Sequence, residues 1–356
     1  MSVLDDLQYI NKLDKSNVYG SVVALADQIK DAWTSVNKLE LPKECALAKN
    51  VVLAGMGGSA LGGRVVKSLA GDRLRAPFEV VNDYHLPAYV GKDSLVILSS
   101  YSGTTEEVLS CGNQALSKQA GIFVIATGAK LQAFAQENSL PGYIIDPRFN
   151  PSNQPRMAVG YAIVAVLALL ARCEFIYLRQ DEMKNVESTV RGFIQEFIIE
   201  VGEKDNLAKK IAARLRNKMA ILVASEHLVG AAHVFKNQLN ENSKTFSALF
   251  ELPELNHNLM EGLRNPAEAK RFWHFLFFES DSYFESVSKR YKITEDVVNR
   301  NEVGFSVYKL RSPDKLEQIF ELITLGSFIN FYLAMLYGID PAPIKWVYYF
   351  KQELSV

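Results

Sequence analysis

The chain has 356 residues, of which 48% are hydrophobic and 22% charged, with a formal net charge of −1. Such a composition excludes an extended disordered chain, and the balanced charge leaves no basic field to hold nucleic acid. The length exceeds one typical hydrophobic core and suits two domains.

The opening "MSVLDDLQYI" is acidic and lacks the charged-then-apolar order of a leader, which sets a cytoplasmic expectation. Residues 1–40 read as amphipathic helix. "NVVLAGMGGSALGGRVVKSLAG" then gives strand, glycine loop and helix. "PFEVVNDYHLP" gives a second strand. "DSLVILSSYSGTTEEVLSCGNQALSKQ" gives strand, hydroxyl-rich loop and helix. "GIFVIATG" and the short "GYIIDP" give two more strands. "MAVGYAIVAVLALLA", residues 157–171 between Arg156 and Arg172, is short for a bilayer span and reads as a buried helix, so no membrane partner is expected.

Residues 174–206 are charged and read as a helical connection. Beyond them "KMAILVAS" is a strand and "EHLVGAAHVFKNQLNENSK" a helix. "RFWHFLFFES" and "EVGFSVYKL" are further strands, and "PDKLEQIFELITLGSFINFYLAMLYG" is a long apolar helix. Alternating strands and helices predict an α/β fold of two doubly wound units, each a parallel sheet flanked by helices. Ligands in such sheets bind beyond the carboxyl ends of the strands.

Two loops fall at those ends. One is Gly55-Met56-Gly57-Gly58-Ser59; the other runs from Ser99 through Ser100, Ser102 and Thr104 to Thr105. Amides at a helix start, joined by hydroxyls, form an anion pocket. Each loop alone reads as a capped turn; two in adjacent units point to an anion site. Glu106 and Glu107 already satisfy the second helix start, which favours a single phosphate monoester over a highly charged ligand. A dinucleotide is poorly served: Ala60 fills the third glycine position of GxGxxG, and no acidic residue ends a strand where the ribose would need it. No GK[ST] follows, so this is not a nucleotide P-loop.

Cys45, Cys111 and Cys173 form no CxxC pair and read as reduced intracellular thiols. The five histidines form no HExxH, so no metal site is expected. His233 and His274 read as structural, His227 as a helix cap, and His85 has no assignment.

"GMGGSALGG" and "SYSGTTEE" resemble the two signatures of the sugar isomerase (SIS) domain, a flavodoxin-like fold that binds phosphosugars. "NQPRMAVGY", "KNQLNENSK", "LPELNHNLMEG" and "DPAPIKWVYYFKQEL" resemble, more specifically, the bifunctional phosphoglucose/phosphomannose isomerases. The likeness spans nearly the whole chain. It implies a phosphate-binding SIS subdomain over 41–173 and a second one, with the catalytic base, over 207–356.

The resemblance puts Gly58, Ser59, Ser100, Ser102 and Thr105 around the phosphate. It makes Glu241 the base that moves a proton between C1 and C2, and Arg156 the group that steadies the enediolate. His257, supplied from a neighbouring subunit, and Lys351 would open the sugar ring. The implied protein is a homodimeric isomerase that needs no cofactor. It interconverts glucose 6-phosphate, and mannose 6-phosphate with it, with fructose 6-phosphate. Family members commonly carry a hydroxyl residue shortly before the tail lysine, linked with acceptance of mannose. Here "DPAPIKWVYYFK" has none, so the mannose activity is less well supported by the motif than the glucose activity.

Residue chemistry alone leaves rivals. A carboxylate in the last helical turn faces the negative end of the helix, which raises its basicity, as Glu241 would. Glu251 and Glu254, flanking Pro253, compete with it, and Lys345 competes with Lys351; the motifs select Glu241 and Lys351. Arg156 at a helix start opposes the dipole unless an anion is present. Two other functions stay open. A phosphosugar sensor without catalysis would use the same domain, though the acidic start supplies no DNA-binding face. A nicotinamide dehydrogenase keeps only the glycine loop. Nothing in 174–205 or 280–300 assigns those stretches a role.

Overall fold

The computed structural model describes residues 2–71 and 73–354. The first sheet is built from β1 (Asn50–Gly55), β2 (Phe78–Val81), β3 (Ser94–Ser100), β4 (Gly121–Ala126) and β5 (Gly142–Ile144), in the order β2-β1-β3-β4-β5. The second holds β6 (Met219–Ala224), β7 (Ser247–Glu251), β8 (Trp273–Glu279) and β9 (Gly304–Lys309), in the order β7-β6-β8-β9. Every pairing is parallel. The first order is the flavodoxin-like winding, and the second repeats it without a fifth strand. Both sheets reverse direction beside their first strand, so each has a crevice at that strand's carboxyl end.

Strand β3 is buried throughout, because helices cover both faces of the sheet. Its residues alternate between two clusters. Leu95 and Ile97 face the large core that continues into the second sheet. Val96 and Leu98 face a smaller cluster under the helices Glu106–Ser117 and Ala129–Glu137. The length argument for two separate cores therefore gives way to one main core with a satellite. Between the sheets, helix Leu61–Ala70 packs against helix Val229–Glu241. Gly230 permits this: a Cβ there would stand 2.5 Å from the Val65 Cα. That close approach carries the far end of the second helix, and so Glu241, toward the first sheet.

The apolar run at 157–171 forms the buried helix Val159–Arg172. Helix Lys315–Leu336 is long and apolar enough to cross a membrane, yet its residues are almost all buried in the protein. Several elements escape the sequence reading, the helices Ala129–Glu137 and Leu207–Leu215 among them. β7, "SALFE", has no β-branched residue and only a half-buried pattern. Within the unassigned 280–300 stretch lies helix Glu285–Arg300, which crosses from β8 to β9 and buries Tyr291, Thr294 and Val298 at helical spacing.

The two crevices differ. After β1, Gly57 takes a left-handed φ of 49° and opens a 3₁₀ turn; after β6, Glu226 does the same at 46°. In the second unit, however, the crevice is filled from inside. The Tyr283 hydroxyl accepts the Ser225 amide at 3.2 Å; Tyr283 stacks on Tyr291 and meets His227 edge-on, and all three are buried. His227 is not a helix cap; its Nε2 meets Gln318 Oε1 at 2.8 Å.

Burial pushes the His227 pKa down to about 4, against a hydrogen bond that Gln318 Oε1 accepts from the ring and that favours the charged form. The folded state thus prefers the neutral ring. Its contribution is full above the unfolded value near 6.5 and is lost as pH falls through 4, on the order of 3 kcal/mol in all. Thermal melts should show Tm falling between pH 6.5 and 4, and His227→Gln should make that slope shallower, the remainder coming from His233 and His274, which burial also holds down to about 4. An identical slope in the variant would remove His227 as a cause.

Candidate active site

The cavity at the first crevice measures about 580 Å³, within the range of small-ligand sites. Its floor is the glycine loop and the hydroxyl loop. Its far walls are Pro155–Arg156, Glu241 and the tail helix Lys345–Leu354.

The hydroxyls divide into two groups. Ser99 Oγ donates to the Ser59 carbonyl at 2.9 Å, and the Ser59 hydroxyl accepts the Tyr101 amide at 2.8 Å, so these join the two loops. Ser100 is buried; its hydroxyl lies 2.7 Å from that of Thr105 and accepts the Gly103 amide. Ser100 therefore does not line the cavity and acts through Thr105. Ser59, Ser102, Thr104 and Thr105 do line it. Thr105 caps helix Glu106–Ser117 by position but makes no side-chain capping bond, which leaves helix-start amides facing the cavity. Gly58 also lines it, and no other residue would fit: a Cβ there would stand 2.9 Å from the Pro155 carbonyl carbon.

Glu241 is the last residue of helix Val229–Glu241. Its half-buried carboxylate accepts no hydrogen bond among the described residues and lies 3.6 Å from Arg156 Nη1. Burial raises its pKa, and the charges of Arg156 and Lys244 pull it back. A carboxylate with free lone pairs and raised basicity can take a proton from carbon. Glu251 and Glu254 are exposed and lie outside the cavity lining.

Arg156 is 1% exposed. Nη2 donates to the carbonyls of Pro341 at 3.0 Å and Ala342 at 2.7 Å, Nη1 to Gln154 Oε1 at 2.9 Å, and Nε to Asn242. Four of its five N–H groups are thus spent on the protein, leaving one on Nη1, on the Glu241 side. Sequence reasoning identified Arg156 as a charge and missed that it is also a clasp. The signal for the clasp, the carbonyls of the "DPA" turn, exists only once the chain is folded.

Lys351 lines the cavity from the tail helix; Lys345, over the Trp346 ring, does not. His257 sits on the one-turn helix Leu255–Asn258; it is exposed and lies outside the cavity lining. One chain therefore brings together Gly58, Ser59, Ser102, Thr105, Arg156, Glu241 and Lys351.

A hydroxyl-and-amide floor at a flavodoxin-like switch point, in a twice-wound parallel fold, defines a protein of the SIS fold. The same fold occurs in the C-terminal domain of glucosamine-fructose-6-phosphate aminotransferase from Francisella tularensis. The two structures agree with a TM-score of 0.70 at 15% identity, over 94% of this chain and 97% of that one. Residues 204–354 match the family described as the bacterial phospho-glucose isomerase C-terminal SIS domain. The bifunctional phosphoglucose/phosphomannose isomerase of Caldicellulosiruptor bescii is 32% identical over 95% of this chain and 99% of its own length. That of Aquifex aeolicus is 30% identical over 89% and 93%. The chain belongs to the bifunctional phosphoglucose/phosphomannose isomerase family.

Proposed function

We propose that the chain interconverts glucose 6-phosphate, and mannose 6-phosphate with it, with fructose 6-phosphate. The reading is supported most by the single cavity whose wall runs from Ser59 and Thr105 to Glu241 and Lys351. The hydroxyls and helix-start amides hold the phosphate. Lys351 and His257 move a proton between O1 and O5 to open the ring. Glu241 takes the C2 proton of the aldose and returns it to C1 of the ketose through a cis-enediol. The Arg156 charge offsets the negative charge that develops on the enediolate oxygens. The step conserves electrons within the sugar, so it requires no redox partner. His257 comes from the second subunit of a homodimer, a reading favoured by its exposure and by the bare aromatic face of Trp346, Tyr349 and Phe350 on the tail helix.

A coupled assay for fructose 6-phosphate, run from both aldose phosphates without added cofactor, tests this. Product from both supports the proposal. Binding without turnover would favour a sensor, and dependence on a nicotinamide would favour a dehydrogenase. Thr105→Ala, and Ser100→Ala acting through it, should raise KM about tenfold and change kcat less, because phosphate binding persists from ground state to transition state. The reverse pattern would mean that the loop takes part in the chemistry.

A further inference from the structure

The tail helix raises a mechanical question. Every residue from Lys345 to Leu354 is exposed, so almost no packing fixes the element that forms one cavity wall. The last buried residues before it are Pro341 and Ala342. Their carbonyls are taken by two cations. Arg156 Nη2 reaches both. Lys244 Nζ donates to Pro341 O at 2.9 Å, to Asp340 O at 3.2 Å and to Asn242 O at 3.0 Å. The ammonium has three protons, and all three are spent on main-chain carbonyls. Pro341 O accepts from both cations.

Lys244 itself stands in an unusual backbone state. Its φ is 52°, in the left-handed region that side chains avoid. It lies three residues beyond Glu241, and Asn242 between them is buried and also holds Arg156. An exposed lysine normally keeps its side chain mobile, because fixing it costs rotamer entropy. Here the strained backbone aims it at a single turn of chain.

We infer that Lys244 is a positioning residue: with Arg156 it clasps the Asp340–Ala342 turn and so fixes the tail helix, with Lys351, opposite Glu241. The inference rests on the roles proposed above for Glu241 and Lys351. The clasp ties base and tail to one junction, since Asn242, next to Glu241, takes part on one side and the tail begins on the other. Prolines 341 and 343 stiffen the turn, so holding its carbonyls sets the direction in which the helix departs.

The test compares Lys244→Gly and Lys244→Met with Lys244→Arg and the unaltered chain. Glycine accepts the left-handed φ without strain, so the Gly variant keeps the fold while removing the clasp. Chymotrypsin should cut the Trp346–Phe350 segment at least about tenfold faster in the Gly and Met variants, which lose both Lys244 hydrogen bonds to the turn, a single charge-assisted bond being worth roughly that much. In the same variants kcat/KM should fall about tenfold, mostly through kcat, because phosphate contacts are untouched. Lys244→Arg should behave as the unaltered chain in both assays. Unchanged tail cleavage in both the Gly and Met variants would overturn the inference, as would cleavage accelerated equally throughout the chain. Because cleavage is read without substrate, a chain that turned over no sugar phosphate would sink the proposed function and still test the clasp.

Discussion

Glu241→Gln should lower turnover of both aldose phosphates by roughly 10²–10⁴-fold, the usual worth of a positioned general base, while sugar-phosphate binding persists. The substitution keeps the shape at the end of helix Val229–Glu241 and removes only the ability to accept a proton. Exchange of the C2 proton with solvent deuterium should stop in parallel. Turnover within tenfold of the unaltered chain would assign the base elsewhere. The same carboxylate sets the pH response. Because burial holds its pKa above the ordinary value of 4.5, the acid limb of kcat/KM should bend above that pH. A limb at or below it, with Glu241 required, would mean that the charges of Arg156 and Lys244 outweigh burial.

Arg156→Lys should be nearly as damaging, and for a reason that charge alone does not give. Lysine keeps the positive charge but has three donors in place of five and no planar fork. It leaves some of the acceptors at Asn242, Gln154, Pro341 and Ala342 unpaired. Each buried acceptor left bare costs about 1–3 kcal/mol, so a loss of stability of about 2–4 kcal/mol is expected. With the tail and the enediolate charge both displaced, kcat/KM should fall roughly 10²–10³-fold. Melting and steady-state kinetics measured together decide the matter. A variant of normal stability and rate would show that Arg156 serves only as a charge.

Much of this architecture is legible in the residues. The β-branched strands of the first sheet and the helix at 157–171 follow from pattern, because burial on two faces writes itself as continuous apolar runs. β7 is not legible: "SALFE" becomes a strand only because β6 offers it an open edge. The floor of the site is written locally, as glycines and hydroxyls beside strand ends. Its finer partition is not. Ser100 and Ser102 look alike in the sequence, yet one turns inward to Thr105 and the other faces the cavity, because β3 ends at Ser100 and Ser102 stands in the turn beyond it. Lys244 is silent as a sequence feature because its three partners are backbone carbonyls, two of them nearly a hundred residues away. The motif resemblance singled out Glu241 over Glu251 and Glu254, and the geometry sets only Glu241 on the cavity wall.

The second crevice, filled by His227, Tyr283 and Tyr291, makes the duplicated fold unequal in its stoichiometry. The winding is built twice, but among the described residues the first crevice stands open and the second is filled. In the second half the space for a ligand has been traded for internal rigidity. The helix that starts there is anchored at its beginning and is free to deliver a reactive group at its end. The two windings thus differ in office: one leaves its crevice open, and the other sends Glu241 to the wall of that crevice.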